Sequence, residues 1–272
     1  MTTSTSTTPE AAAASRSLAQ RIGFLAYGVV CYALFFACFL YSIAFVGNFG
    51  LAPKTLDSGT AGPLGAALLV NLGLLSLFAV QHSGMARPAF KQWWTRFVPE
   101  PAERSTYVLA STAALALLYA FWQPIGGTVW SVTDPVGAGI LTGIYLFGWG
   151  LLLYATLLID HFDLFGLRQS WLAFRGKPYT HHPFRTPGLY KRIRHPIYLA
   201  WFVIFWATPV MSVGHLLLAV ATTAYIVVAV WFEERDLVDH FGDQYRQYQD
   251  TTPRYIPTPG RRANVRPAPV VN

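Results

Sequence analysis

Residues 188–198 read GLYKRIRHPIY and run directly into an apolar segment that starts at Leu199. Arg194 and His195 therefore stand at the predicted start of a membrane helix, and Pro196 falls in its first turn, where a missing N–H is tolerated. Unpaired amide donors at a helix start, together with fixed cations, suit an anionic or zwitterionic ligand. The plainer interpretation is that Arg194 and His195 only mark the cytoplasmic boundary of a helix.

The composition indicates an integral membrane protein. Of the 272 residues, 53% are hydrophobic and only 12% are charged, whereas soluble domains are about a quarter charged. The net charge of +7 could indicate nucleic-acid binding, but the basic residues fall between hydrophobic runs and form no single patch. We therefore expect the lipid bilayer, and no nucleic acid, as a partner.

Apolar segments divide the chain into predicted transmembrane helices, each of which needs about 20 residues to cross a bilayer. They cover roughly 22–45, 63–80, 105–122, 136–158, 199–213 and 215–231. The junction at 212–214 is so short that the last two are predicted to form a tight helical hairpin. Residues 85–95 mix Lys and Arg with Phe and Trp, which is typical of an interfacial segment. The expected fold is all-α, with about six transmembrane helices.

The distribution of Lys and Arg predicts that both termini lie in the cytoplasm, because short cytoplasmic loops are enriched in these residues. The connections after the second and fourth segments hold ten of the 20 Lys and Arg residues: Arg87, Lys91, Arg96, Arg104, Arg168, Arg175, Lys177, Arg185, Lys191 and Arg192. The alternate loops carry almost none. The expected location is therefore a cytoplasmic membrane, with cytoplasmic loops that could hold a site.

Ionisable groups from four parts of the chain are predicted at this cytoplasmic level: His82, residues 160–163, residues 194–198 and residues 233–236. Such groups at membrane depth are costly and tend to be functional, so their convergence predicts a polar site. Two alternatives stay open. His82 could be an interfacial histidine bonded to a backbone carbonyl, and Glu233-Glu234 could be a solvated helix end.

A metal site is not expected. Suitable ligand types are present in His82, Asp160, His161, His181 and His182. No two of these histidines recur four residues apart, as a helical metal motif would require. A glycine-rich phosphate loop is also absent, which argues against a dinucleotide fold.

An ordered pattern occupies the last third of the chain. Its parts are Tyr190, Arg194-His195-Pro196-Ile197-Tyr198, Glu233-Glu234-x-x-Leu237, Phe241-Gly242-x-x-Tyr245-x-x-Tyr248 and Pro253-Arg254. This pattern resembles the isoprenylcysteine carboxyl methyltransferase superfamily, in which the arrangement binds S-adenosylmethionine on the cytoplasmic side. The resemblance implies the same cofactor here, in a pocket lined by His182, Pro183, Phe184, Arg185, Tyr190, His195, Pro196, Ile197, Tyr198 and Glu233.

The residue types suit that cofactor. Arg194 or the helix start would take its carboxylate, and Glu233 would pair with its ammonium. Phe184 and Tyr198 would give the adenine an aromatic surface.

The front two thirds carry a second resemblance. Its parts are Gln81-His82-Ser83, Trp93-Trp94, Glu103 to Tyr107 and Asp160 to Leu167. Together they resemble the bacterial methanethiol S-methyltransferases, six-span membrane enzymes that convert methanethiol to dimethyl sulfide. The resemblance implies a small thiol as the acceptor and the bacterial inner membrane as the location.

An alkyl thiol is less acidic than cysteine, so an ionising partner would speed its attack on a methyl donor. The catalytic candidates are His82, Asp160 and His161. We hypothesise that His82 or His161, oriented by Asp160 or Asp163, removes the thiol proton. The carboxylates could instead bind the cofactor amine or pair with Arg168.

The expected division of the chain has four parts. A disordered tail covers 1–20, helices 1–4 on the acceptor side cover 21–165, a cofactor-binding loop with helices 5 and 6 and a C-terminal helix cover 166–258, and a tail covers 259–272. Three other functions stay open: methylation of a lipid or isoprenylcysteine acceptor, NADPH-dependent reduction of the sterol reductase type, and a non-catalytic membrane role.

Overall fold

The computed structural model describes residues 15–257, and these are mostly helical, as predicted. The helices are α1 (Leu18–Val46), α2 (Leu64–Ala86), α3 (Pro88–Trp94), α4 (Glu100–Phe121), α5 (Pro135–Ile159), α6 (His161–Leu164), α7 (Leu167–Phe174), α8 (Pro196–Trp206), α9 (Val213–Phe241) and α10 (Asp243–Thr251). A 3₁₀ helix covers Gly188–Lys191, and two strands cover Thr128–Ser131 (β1) and Val210–Ser212 (β2). The predicted tail at 259–272 lies outside the described residues, as do residues 1–14 of the other predicted tail.

Among the described residues, four helices are long and apolar enough to cross a membrane: α1, α2, α5 and α9. Helix α4 matches the third predicted span, and the acidic Glu100 and Glu103 in its first turn favour a helix start there. Helix α8 is apolar but shorter. The described chain thus has the length and composition of an integral membrane protein.

The connection between α8 and α9 differs from the predicted tight hairpin at 212–214. Helix α8 ends at Trp206, and β2 then pairs antiparallel with β1. Pro209 contributes to this ending, because a proline disfavours helical backbone at the residue before it. Ser212 closes the connection by accepting a hydrogen bond from the His215 N–H at 2.9 Å, which caps the start of α9.

The described chain divides into two compact units. The first unit holds residues 15–42, 76–120 and 160–182, and the second holds residues 43–75, 121–159 and 183–257. The four-part division expected from the sequence stays a prediction.

Glycine and aromatic contacts bring α5 and α8 together in the second unit. A Cβ at Gly148 would lie 2.9 Å from Ile204 Cγ1, so only a residue without a side chain fits this close approach. The next residue, Trp149, packs edge-on against Trp201 with 5.5 Å between ring centroids. This packing fixes α8, which begins at Pro196 and is directly preceded by Arg194 and His195.

A second required glycine stands in the first unit, between α6 and α7. Gly166 has φ of +87°, and a Cβ there would lie 2.8 Å from the backbone nitrogen of Ser105. Ser105 and Ser170 are both fully buried, with 3.4 Å between their hydroxyl oxygens. The segment that carries Asp160 and His161 is therefore seated closely against α4.

Candidate functional site

A buried carboxylate organises the site residues of the second unit. Glu234, on α9, is 5% exposed. Its Oε1 accepts hydrogen bonds from Arg194 Nε at 2.8 Å and from His195 Nε2 at 3.0 Å. Its Oε2 accepts from Arg254 Nη2 at 2.7 Å. Two guanidinium groups and an imidazole thus surround one carboxylate, which satisfies a charge that would be costly to bury alone.

Arg194 and His195 also form hydrogen bonds with the backbone of residues 249–254. Arg194 Nη1 donates to the carbonyl oxygen of Gln249 at 2.9 Å and to that of Thr252. The Arg194 N–H donates to the Pro253 carbonyl at 2.9 Å, and the His195 N–H donates to that of Arg254 at 3.1 Å. The Arg-His pair is therefore bonded within the protein, and binding of the cofactor carboxylate by Arg194 stays a prediction.

Glu233, next to the buried glutamate, has a different environment. Its side chain is half-buried, and Oε2 accepts a hydrogen bond from the Tyr198 hydroxyl at 2.7 Å. Within residues 15–257, Oε1 of Glu233 has no hydrogen-bond partner. A carboxylate with one open oxygen beside a tyrosine can receive a cationic ligand group.

An aromatic cluster lies around Phe184. Its ring centroid is 5.2 Å from that of Phe241, 5.9 Å from Tyr245 and 5.5 Å from Tyr248. Tyr248 also donates a hydrogen bond to the carbonyl oxygen of Tyr190. Two residues predicted to contact the cofactor, Phe184 and Tyr190, are thus linked through Tyr248.

The remaining predicted cofactor residues of this unit have varied surroundings. Arg185 is exposed and donates from Nη2 to the Ile159 carbonyl at 2.8 Å. Pro196 is buried at the first position of α8, as expected for a residue without an N–H. Ile197 is half-buried and Pro183 is exposed. Their contact with a cofactor stays a prediction.

In the first unit, Asp160 has a strained backbone. Its φ of 109° is in the left-handed region that non-glycine residues rarely adopt, and such a conformation costs about 1–3 kcal/mol. Its Oδ1 accepts from the Asp163 N–H at 3.0 Å and caps α6, while Oδ2 lies 2.8 Å from His182 Nε2. Burial alone would raise the pKa of the Asp160 carboxyl, but these hydrogen bonds outweigh it and hold the pKa below its usual range.

His161 is buried in aromatic surroundings. It is 5% exposed, and its Nε2 lies 2.9 Å from the Tyr32 hydroxyl. Its ring centroid is 4.8 Å from that of Phe165. Burial lowers the pKa of the His161 imidazole, although the neighbouring Asp160 acts in the opposite direction. This histidine is therefore neutral near pH 7.

His82 lies on α2 among groups from α4. The Tyr107 hydroxyl is 3.0 Å from its Nδ1 and 3.1 Å from its Nε2, and Ser111 Oγ is 3.1 Å from Nδ1. Phe78 stacks on the ring with 5.1 Å between centroids. His82 is thus hydrogen-bonded to side-chain hydroxyls. The sequence had left open a backbone carbonyl as its partner.

An ion pair and further hydrogen bonds connect α6 and α7 with residues 179–180 of the first unit. Asp163 Oδ1 accepts from Arg168 Nη1 at 3.2 Å, and Oδ2 accepts from the Tyr179 hydroxyl at 3.1 Å. Arg168 also donates to the Thr180 carbonyl at 2.8 Å. Burial, reinforced by Asp163, raises the pKa of Tyr179 to about 12. One of the alternatives left open by the sequence was that a carboxylate pairs with Arg168, and Asp163 forms this pair.

The structure pairs the predicted residues differently from the sequence hypothesis. Asp160 is hydrogen-bonded to His182, which the sequence assigned to the cofactor. Sequence reasoning did not assign a role to Glu234 or Tyr107, although both lie in the quoted motifs. Ser111 could have been found, because it follows Tyr107 by four residues and shares its helix face. Within the described chain, no three His, Cys, Asp or Glu residues are placed to hold a metal ion.

Comparison with known proteins gives consistent results. A family model described as "Protein of unknown function (DUF1295)" matches residues 105–252. The methanethiol S-methyltransferase of Crocosphaera subtropica is 48% identical over 92% of this chain and 97% of its own length. Methanethiol S-methyltransferase 2 of Bradyrhizobium diazoefficiens is 52% identical over 87% of this chain and 91% of its own. The methanethiol S-methyltransferase of Mycobacterium tuberculosis is 51% identical over 86% of this chain and 96% of its own length. No solved structure matches the chain.

Proposed function

The chain belongs to the methanethiol S-methyltransferase family, and we therefore propose that it methylates methanethiol to give dimethyl sulfide. The observation that carries this proposal is near-full-length similarity: 48% identity over 97% of one relative and 51% over 96% of another. Because the similarity extends over 92% and 86% of this chain, it includes most of the front part, in which the acceptor residues were predicted, as well as the C-terminal pattern.

The methyl donor in this proposal is S-adenosylmethionine, which supplies an electrophilic methyl group on a sulfonium sulfur. The residues present fit such a molecule. Glu233 has an open carboxylate oxygen that suits the donor's ammonium, and Tyr198 holds the other oxygen at 2.7 Å. Phe184, surrounded by three further rings, supplies an aromatic environment for the adenine.

The Glu234 cluster has a supporting role in this proposal. Because Arg194 and His195 both bond to Glu234, they hold the first turn of α8 on α9. Tyr198 is in that first turn and Glu233 precedes Glu234. The buried cluster would therefore keep Tyr198 and Glu233 at hydrogen-bonding distance, as a preorganised donor site requires.

The acceptor must lose its proton, because the thiolate is the nucleophile of a thiol. The first unit supplies three histidines with polar partners that could act on the thiol: His82, His161 and His182. Water exclusion and in-line alignment of the attacking sulfur with the methyl group supply the rest of the rate enhancement.

The membrane arrangement in this proposal has six spans with both termini in the cytoplasm of a bacterial inner membrane. The four long apolar helices are supplemented by α4 and by the apolar segment from Pro196 to Ser212, of which α8 is the helical part. Residues 21–165 would serve the acceptor, and residues 166–258 would serve the donor. A site reached from the bilayer suits an apolar, membrane-permeant thiol.

Purified protein in lipid vesicles, supplied with S-adenosylmethionine and methanethiol, tests the proposal. We expect dimethyl sulfide in the headspace by gas chromatography, and none when either substrate is left out. Vesicles with the Glu233→Gln variant should make less dimethyl sulfide at a low concentration of S-adenosylmethionine, because the carboxylate that meets the donor's ammonium is neutralised. Absence of dimethyl sulfide from the unaltered protein would contradict the proposal.

A further inference from the structure

Asp160 and His182 form a hydrogen-bonded carboxylate–imidazole pair. Asp160 Oδ2 and His182 Nε2 are 2.8 Å apart. An ionised carboxylate can only accept, so Nε2 carries the hydrogen and the lone pair is on Nδ1. Within residues 15–257, the His182 ring has no other hydrogen-bond partner. Nδ1 is therefore able to take a proton from a bound molecule.

Both members of the pair are held by their neighbours. Asp160 is fixed through the Asp163 N–H, which donates to its other oxygen at 3.0 Å. The segment leading to His182 is fixed by Arg168, which donates to the Thr180 carbonyl at 2.8 Å and to its hydroxyl at 3.0 Å. Asp160 itself has a strained φ of 109°, and such strain is concentrated at functional sites.

The pair is also accessible, whereas His161, which has a polar partner in the same unit, is buried. The side chains of His182 and Asp160 are 32% and 24% exposed. His161 is 5% exposed and its Nε2 is engaged by Tyr32. His82 has hydroxyl partners within 3.1 Å of both ring nitrogens, and no carboxylate among residues 15–257 is hydrogen-bonded to it. A base needs an open nitrogen and a group that fixes its tautomer.

We propose that His182 is the base that removes the proton of the acceptor thiol, and that Asp160 positions its ring. This inference rests on the proposed thiol methylation and gives His182 a role other than lining the cofactor pocket. The S–H proton moves to Nδ1. The sulfur electron pair forms the new S–C bond while the C–S bond of the sulfonium donor breaks, and that bonding pair stays on the donor's sulfur. His182 then releases its proton to water.

Other charged or titratable groups lie on the elements around the pair. These are Arg104, His161, Asp163, Arg168, Tyr179 and His181. Asp163 is balanced by Arg168. Asp160 is therefore the carboxylate that interacts directly with the His182 ring.

The first test compares His182→Gln with His181→Gln. His181 is the adjacent histidine, and its described contact is an aromatic one with Tyr179. Loss of a general base lowers turnover by about 10²–10⁴-fold, so we expect at least about a hundredfold loss of kcat for His182→Gln. His181→Gln should keep the unaltered rate. Binding of radiolabelled S-adenosylmethionine should be unchanged in both variants.

A more acidic acceptor separates proton removal from structural damage. 2,2,2-Trifluoroethanethiol is small, and its fluorines make it far more acidic than methanethiol, so much of it is already ionised near neutral pH. The defect of His182→Gln should shrink by at least about tenfold with this thiol, because ionisation no longer needs the base. An equal defect with both thiols would overturn the inference, as would loss of donor binding by His182→Gln.

Asp160→Asn tests the positioning role. The amide can donate to Nε2, which would place the hydrogen on Nδ1 and remove the base. We expect a lower kcat and an altered dependence of kcat on pH, with donor binding unchanged. A pH profile identical to that of the unaltered protein would overturn the role of Asp160. If His82→Gln or His161→Gln instead gave the acceptor-dependent defect, His182 would not be the base.

The outcomes also separate this inference from the proposed function. If the unaltered protein makes dimethyl sulfide and His182→Gln does so at the same rate, only the inference fails. If the unaltered protein methylates a different thiol and not methanethiol, the proposed substrate fails, and the same variants measured on that thiol decide the inference. If no thiol is methylated, both fail.

Discussion

Arg194 donates from Nε to Oε1 of Glu234 at 2.8 Å, and both side chains are buried, with 9% and 6% of their surfaces exposed. The arginine of the GLYKRIRHPIY stretch is therefore committed to a carboxylate of α9 within the protein. Arg254 from the C-terminal segment completes the cluster at 2.7 Å. The GLYKRIRHPIY stretch and the end of the described chain are thus connected through one glutamate.

Replacing Glu234 by Gln should destabilise the protein strongly. The variant leaves Arg194, His195 and Arg254 around a neutral amide, and breaking a buried ion pair by removing one partner costs about 3–5 kcal/mol. The thermal unfolding midpoint of the detergent-solubilised variant, compared with that of the unaltered protein, measures this. Asp243→Asn is the control, because Asp243 is 97% exposed and pairs only with Arg246 at the surface, where such pairs contribute little. Equal midpoints for Glu234→Gln and Asp243→Asn would contradict the assignment.

Replacing Glu233 by Gln should weaken donor binding and leave stability almost unchanged. The half-buried Glu233 contacts Tyr198 through one oxygen, and the other is the group proposed to meet the ammonium. Loss of a charged hydrogen bond of about 1.5–3 kcal/mol corresponds to roughly 10–150-fold weaker binding. Titration with radiolabelled S-adenosylmethionine checks this. Unaltered affinity would show that Glu233 does not contact the donor.

His161 should make the protein less stable in acid. Its folded pKa is lowered by burial, so the unfolded chain binds more protons in the range between the two pKa values, and stability rises with pH there. The contribution is fully present above about pH 6.5, the usual value for an unfolded histidine, and is lost as pH falls toward the lower folded pKa. Unfolding midpoints measured across this range should fall less steeply for His161→Asn than for the unaltered protein. The exposed His240→Gln should reproduce the unaltered slope, and identical slopes for all three proteins would exclude the effect.

Replacing Gly166 by Ala should disturb the first unit. The new Cβ would lie 2.8 Å from the Ser105 nitrogen, at a residue with φ of +87°. Strain of this kind costs more than about 1 kcal/mol. Gly84→Ala is the matched control, since a Cβ there meets nothing within 4 Å and alanine favours the helix. A lower unfolding midpoint for Gly166→Ala alone is expected, and a similar midpoint for both variants would contradict the tight packing.

Much of the helical layout could be predicted from hydrophobic runs. Helices α1 and α5 begin and end within a few residues of the predicted bounds, because long apolar segments have no stable alternative in a bilayer. The connection between α8 and α9 was not predicted. Its strand depends on pairing with β1, a long-range contact that local composition does not encode.

For the candidate site, too, some residues could be predicted from the sequence, whereas their contacts could not. The sequence predicted site roles for Arg194, His195 and Glu233, but spacing alone could not say that Glu234, and not Glu233, receives the arginine. Adjacent residues on a helix point in different directions, so the choice depends on the rotation of α9. The Asp160–His182 pair was equally hidden, because it depends on the positive φ at Asp160.

The central claim is that this chain methylates methanethiol with S-adenosylmethionine. The most direct measurement is headspace gas chromatography of vesicles that contain the purified protein, methanethiol and S-adenosylmethionine with an isotopically labelled methyl group. We predict dimethyl sulfide that carries one labelled methyl per molecule. Unlabelled dimethyl sulfide, or none above protein-free vesicles, would contradict the claim.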